Sequence, residues 1–156
     1  MGHWLAKSEP TSYSIDDLKR DGKTGWSGVR NYQARNFMRD QMKVGDLVLF
    51  YHSGAEPPGV AGIARVTSKP YPDETAFNAK DGHYDPKSTR ENPIWMMVDL
   101  QFVEKFPHYV PLEDLRNTSG LAKMLVLKRG MRLSIQPVEE GHFDTIRRMG
   151  HFRLGK

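Results

Sequence analysis

The chain has 156 residues, 38% of them hydrophobic and 27% charged, which suits one domain (residues 1–156) with a buried core of its own. It has no cysteine, which excludes disulfides, thiolate metal sites and cysteine nucleophiles and fits a reducing compartment. The 23 Lys+Arg against 19 Asp+Glu leave a net charge of +4, a mild basic excess that suits nucleic acid but also an ordinary solvated surface.

In chain order, "HWLA" reads as a short strand closed off by Pro10. "SIDDLKRDG" reads as a short helix, with Ser14 as its cap, Asp17 three residues later, Ile15 and Leu18 on one face and Gly22 at its end. Asn31 is the next cap candidate, and Ala34, Phe37, Met38 and Met42 follow at helical spacing. "LVLFYH" is a continuous apolar strand, and "VAGIARVTS" a second whose Gly62 marks a bulge or a close backbone approach. Residues 69–93 lose all periodicity and carry Pro70, Pro72, Pro86 and Pro93. A loop of that length is usually functional or mobile. It is expected at the rim of the binding site, with Tyr84, Asp85 and Lys87 in reach of a ligand.

In "IWMMVDLQFV" the residues Ile94, Met96, Val98, Leu100 and Phe102 alternate onto one face. Pro111 opens a short helix with Leu112 and Leu115; "LAKMLVL" is ambiguous; "RLSIQPV" reads as a last strand; "EEGHFDTIRRMG" reads as a closing helix with Phe143, Ile146 and Met149 inward. Strands with helices inserted irregularly between them predict an α+β fold. The sheet should be mostly antiparallel, of five to six strands, curled into a barrel with helices packed outside. Its core candidates are Trp4, Leu47, Leu49, Ile63, Val98, Leu100 and Ile135.

The phosphate-loop, dinucleotide and nucleophile-elbow motifs are absent, and the six histidines do not pair at metal-site spacing, so neither metal nor cofactor is expected. No apolar run approaches membrane-spanning length, and the N-terminus has no signal-peptide pattern. The expected protein is a soluble monomer, cytoplasmic in a bacterium and nuclear in a eukaryote. Its distinctive feature is aromatic residues interleaved with neutral polar ones at element ends. Trp26, Ser27, Val29, Asn31 and Tyr32 lie at one helix entrance, Phe50, Tyr51, His52 and Ser53 close a strand, Lys7, Ser8 and Glu9 follow the first strand, and Gln136 lies in the last. Aromatic walls with a few polar groups hold flat heterocycles. The plainer readings are a core anchor for Trp26, a helix cap for Asn31 and a surface pair for Lys7 and Glu9. Cations gather in three groups: Arg30, Arg35 and Arg39; Lys123, Lys128, Arg129 and Arg132; and Arg147, Arg148, Arg153 and Lys156.

"WLAKSEPTSYSIDDL", "WSGVRNYQARNFMR", "VGDLVLFYHSGAEPPGVAGIARV", "YDPKS" and "RLSIQPV", in this order, resemble the EVE domain in its thymocyte nuclear protein branch. The resemblance covers nearly the whole chain. It implies a PUA-like pseudo-barrel similar to YTH domains, which read methylated adenine in RNA through an aromatic cage. It also implies a non-catalytic module for a modified base in DNA or RNA, modified cytosine favoured, with nucleic acid as the partner. Arg30, Arg35 and Lys87 would then contact phosphate. Two rival readings are a nucleic-acid-processing hydrolase using Lys7, Tyr51 and His52 as acid-base groups, and a protein-interaction scaffold.

Overall fold

The structure, a computed structural model, describes residues 2–152; Arg153 and Lys156 of the C-terminal basic group lie outside the described residues. The first strand, β1 (His3–Ser8), sits inside the sheet. It pairs in parallel with β3 (Leu47–His52) and antiparallel with β8 (Ile135–Pro137). From β3 the sheet continues antiparallel through β4 (Gly59–Val66) and the 13-residue β7 (Asp99–Pro111) to β2 (Lys23–Gly25). The order is β2-β7-β4-β3-β1-β8, a six-stranded curled sheet open between its two edge strands. This is the α+β, PUA-like half-barrel that the sequence predicts. A two-stranded ribbon, β5 (Tyr71–Pro72) with β6 (Met96–Met97), stands apart from it.

Strand alternation gives the sheet two buried faces. Trp4, Ala6, Val48, Phe50, Ala64, Leu100 and Ile135 join Trp26, Met38 and Met42 on the inner face. Leu5, Leu49, Ile63 and Phe106 meet the helical layer on the outer face. Both faces of β3 are therefore covered, which explains its unbroken apolar run. Of the core candidates only Leu47 is partly exposed.

Helix α1 (Ile15–Asp21) begins with a complete capping box: Ser14 Oγ accepts from the Asp17 N–H, and the Asp17 carboxylate accepts from the Ser14 N–H. Ser14→Ala is expected to lower stability by about 1 kcal/mol, read as a shift in denaturation midpoint at unchanged slope. Helix α2 (Tyr32–Asn36) does not run on regularly. It passes into a π-helical turn, Phe37–Gln41, closed by Met42 N donating to Phe37 O at 2.9 Å. The wider turn packs against β8 and β6, where Met38 and Met42 are buried. Helices α3 (Leu112–Arg116) and α4 (Glu140–His151) cover the outer face, with Phe143, Ile146 and Met149 inward as expected.

Gly62 meets both expectations. The β3–β4 register shifts beside it, and a Cβ there would collide with the Glu104 carbonyl oxygen. Other expectations need correction. "RLSIQPV" contributes only three strand residues; the ambiguity of "LAKMLVL", between helical turns and strand, resolves as a 3₁₀ turn at Leu125–Leu127. The alternation over 94–102 breaks: Trp95 and Met97 are buried, Ile94 and Met96 are not, and Met97 and Val98 are buried in succession. There the chain leaves the ribbon for the main sheet. Residues 69–93 are also structured beyond expectation. Asp73, Asn78, Asp81 and Asp85 each accept, through the side chain, the N–H two residues on. Four such turns fold the segment without any hydrophobic periodicity.

Candidate functional site

Because β1 and β3 are parallel, their C-terminal ends coincide. Ser8 lies opposite His52 and Lys7 opposite Tyr51, and the Ser53 N–H donates to Ser8 O at 3.0 Å. Glu9 packs against Gly54, where a Cβ would stand 3.5 Å from its Oε1. Ser8, Glu9, His52 and Ser53 are thus brought together. On the inner face the rings form a row. Trp26 meets Phe50 edge-on with centroids 5.5 Å apart, Phe50 meets His52 at 5.7 Å, and His52 approaches Tyr109 at 6.0 Å. Trp26 extends the line of β2, its backbone N–H donating to Val98 O at 2.8 Å.

Phe50 and Val29 are buried, and Trp26 with them at 7% exposure. The indole N–H of Trp4 donates to Asp46 and that of Trp95 to Asp85. Among the described residues Trp26 has no such acceptor. Beside it Ser27 and Asn31 are exposed. Asn31 is the cap of α2, its Oδ1 accepting from the Ala34 N–H at 2.9 Å, which leaves its amide NH₂ as a donor. Ser8 donates its hydroxyl to Tyr13 O at 2.6 Å and keeps acceptor capacity.

The sheet separates other candidates from this group. Lys7, Tyr51 and Gln136 point to the outer face, sharing it with Leu5 and Leu49. Lys7 Nζ donates to Met131 O at 3.3 Å and lies 5.9 Å from the Tyr51 ring centroid. Burial lowers the Lys7 ammonium and raises the Tyr51 phenol, the latter opposed by Arg116. Gln136 is buried, its amide donating to Leu133 O.

His52 has a structural partner. Its Nε2 accepts the Ile15 N–H at the start of α1, at 3.1 Å, which fixes the neutral ring. Burial lowers its pKa from the ordinary 6.5, against the pull of Asp16. The unfolded chain therefore binds this proton more readily than the folded one. The stabilisation is whole above about pH 6.5 and is lost as pH falls below it. His52→Gln keeps an acceptor that does not titrate. It is expected to flatten the fall in melting temperature between about pH 7 and 5; parallel curves for the two proteins would refute the assignment.

Sequence reasoning missed Asp73. It is fully buried and accepts four hydrogen bonds: from Gly28 N at 2.8 Å, Arg30 Nη1 at 3.1 Å, Thr75 N at 2.9 Å and Thr75 Oγ1 at 2.6 Å. Burial alone would raise this carboxyl, but the bonds from Thr75, Gly28 and Arg30 outweigh it and hold it below its ordinary value. Arg30, expected at phosphate, is a strut. Its five donors go to Val29 O, Asp73, Thr75 and, twice, His83 O. Together Asp73 and Arg30 bind the loop 69–93 to the wall behind Trp26. Gly28 closes the contact with φ +85°, and a Cβ there would lie 2.9 Å from His83 Nε2. Arg35 is partly exposed, and Lys87 is exposed beside Asp85. Asp85 itself is held by Trp95 Nε1 and the Lys87 N–H.

Among the described residues no cluster of three or more His, Asp or Glu could hold a metal ion, and no helix is long and apolar enough to cross a membrane.

The EVE domain family model matches residues 2–149. Human thymocyte nuclear protein 1 is 45% identical over 162 residues, an alignment that spans 92% of this chain and 72% of that protein. A hypothetical protein from Leishmania major superposes with a TM-score of 0.92 at 45% identity, over 96% of this chain and 94% of that one. A crystal structure of human THYN1 protein in complex with 5-methylcytosine-containing DNA superposes with a TM-score of 0.90 at 41% identity, over 98% and 99% of the two chains.

Proposed function

Because the chain belongs to the EVE domain family, we propose that it is a non-catalytic module that binds nucleic acid through a modified cytosine, with 5-methylcytosine in DNA as the favoured ligand. The observation that carries this reading is Trp26, a core tryptophan packed edge-on against Phe50 whose indole N–H has no acceptor among the described residues. The groups offered to a planar base beside Trp26 are Ser8, Ser27, Asn31 and Ser53. The free NH₂ of Asn31 suits the O2 or N3 acceptor of cytosine. Arg35 and Lys87 supply backbone affinity, and the groups around Trp26 supply selectivity.

A methyl group buried against the ring row adds about 1 kcal/mol, a several-fold preference. Greater selectivity requires that the wrong base leave a polar group unpaired. The geometry disfavours the hydrolase reading, since Lys7 and Tyr51 lie across the sheet from His52, whose Nε2 is engaged.

The test is anisotropy titration of matched labelled oligonucleotides with cytosine or 5-methylcytosine, single- and double-stranded, followed by denaturing electrophoresis of the same strands. The expected result is several-fold tighter binding of the methylated strand, affinity that falls with salt, and intact product. Equal affinity for both strands, or turnover of either, overturns the reading.

A further inference from the structure

Trp95, on the ribbon side of the site, is buried and pinned by its indole bond to Asp85 at 2.7 Å. Three side chains are assembled on it. The Tyr32 ring lies 4.8 Å away at an interplanar angle of 32°, the Arg30 guanidinium 5.4 Å from the ring centroid and the Arg35 guanidinium 5.9 Å from it. Arg35 also covers Tyr32 at 4.9 Å. Its own position is set by Asn36 Oδ1, which accepts at 3.0 and 2.7 Å, and by Ile94 O at 3.1 Å.

For all this support, Tyr32 is 56% exposed. Single exposed aromatics are ordinary on protein surfaces. This one is unusual in being fixed in advance by contacts with a buried tryptophan and an anchored cation that lie close to each other. A ring so held loses little side-chain freedom when something stacks on it. Arg35 beside it adds positive charge, the combination that single-stranded nucleic acid engages. Tyr32 also follows directly on Asn31, so it stands on the same wall as the Trp26 site without belonging to the core row.

We propose that Tyr32 is a second stacking platform, which takes an unpaired nucleobase of the bound nucleic acid other than the one recognised at Trp26. The inference rests on the nucleic-acid reading above. Two bases share the required chemistry: a neighbour of the modified cytosine on its own strand, and the base left unpaired opposite it.

The experiment uses a methylated duplex carrying fluorescent 2-aminopurine either beside or opposite the modified cytosine, titrated with the unsubstituted chain, Tyr32→Ala and Tyr32→Phe. Circular dichroism melts confirm that each variant is folded. The unsubstituted chain and Tyr32→Phe are expected to quench the probe at one of the two positions, which identifies the stacked base. Tyr32→Ala should fail to quench and should bind roughly tenfold more weakly, with the ratio of methylated to plain affinity unchanged. If Tyr32→Ala matches the unsubstituted chain while methyl preference persists, the platform falls and the function stands. If Tyr32→Ala changes the methylated-to-plain ratio, Tyr32 belongs to the recognition pocket and no separate platform exists. If the unsubstituted chain shows no methyl preference, both readings fall.

Discussion

Replacing Trp26 with alanine is expected to cost about 3–5 kcal/mol of folding stability as well as binding, because most of the indole is packed against Phe50 in the inner core. That double effect makes alanine a poor reporter of function. Trp26→Phe is the cleaner variant. It keeps an aromatic ring against Phe50 but removes the N–H and the indole's second ring. It is expected to fold and to bind the methylated strand more weakly, by less than the roughly 1–3 kcal/mol that loss of a whole stacking ring costs. The measurement is a thermal melt followed by titration of matched strands. Unchanged affinity and methyl preference in a folded Trp26→Phe protein would make Trp26 a core residue alone and move the pocket elsewhere.

Asp73→Ala is expected to destabilise the fold by about 3–5 kcal/mol, the range for removing one partner of a buried charge pair. Arg30 would keep its bonds to His83 and Thr75, but the Gly28 and Thr75 amides would lose their acceptor. Asp73→Asn keeps the shape and one acceptor, so it should cost less. The carboxyl is held below its ordinary 3.8, so its contribution is present above about pH 4 and is lost as pH falls through the folded-state value. Acid titration should therefore show two distinct losses, one from His52 below about pH 6.5 and one from Asp73 below about pH 4. A denaturation midpoint for Asp73→Ala close to that of the unsubstituted chain would show that the loop is held by other contacts.

Much of the fold was legible because its signals are local. The Ser14 box, the apolar run of β3, the glycine at 62 and the inward stripe of α4 each depend on a few neighbouring residues. The π turn after Asn36 was not legible, since it answers to packing against β8 and β6, not to sequence spacing. Asp73 was hidden for a similar reason. A buried aspartate is intelligible only through distant partners, here Gly28 and Arg30, 45 and 43 positions away. The spaced Asp and Asn residues at 73, 78, 81 and 85 were a usable sign that the proline-rich stretch folds through side-chain-capped turns. In the candidate site, strand parity held information that the grouping of residues by sequence did not use. Phe50 and Tyr51 are neighbours on one strand and must face opposite ways, as must Lys7 and Ser8, so Tyr51 could be separated from Phe50 and Lys7 from Ser8 before any coordinates.

The central place of β1 bears on the chain's synthesis. Among the six strands of the sheet this one is made first, yet its partners are β3, about forty residues later, and β8, the last of them. Until residues 135–137 emerge, one edge of β1 has no partner, and its apolar Trp4, Leu5 and Ala6 wait in an unfinished sheet. Such distant pairing slows folding and favours completion only once the chain through β8 is available. A ribosome stalled before β8 would thus hold a nascent chain prone to strand-edge association, the kind of intermediate that chaperones shield.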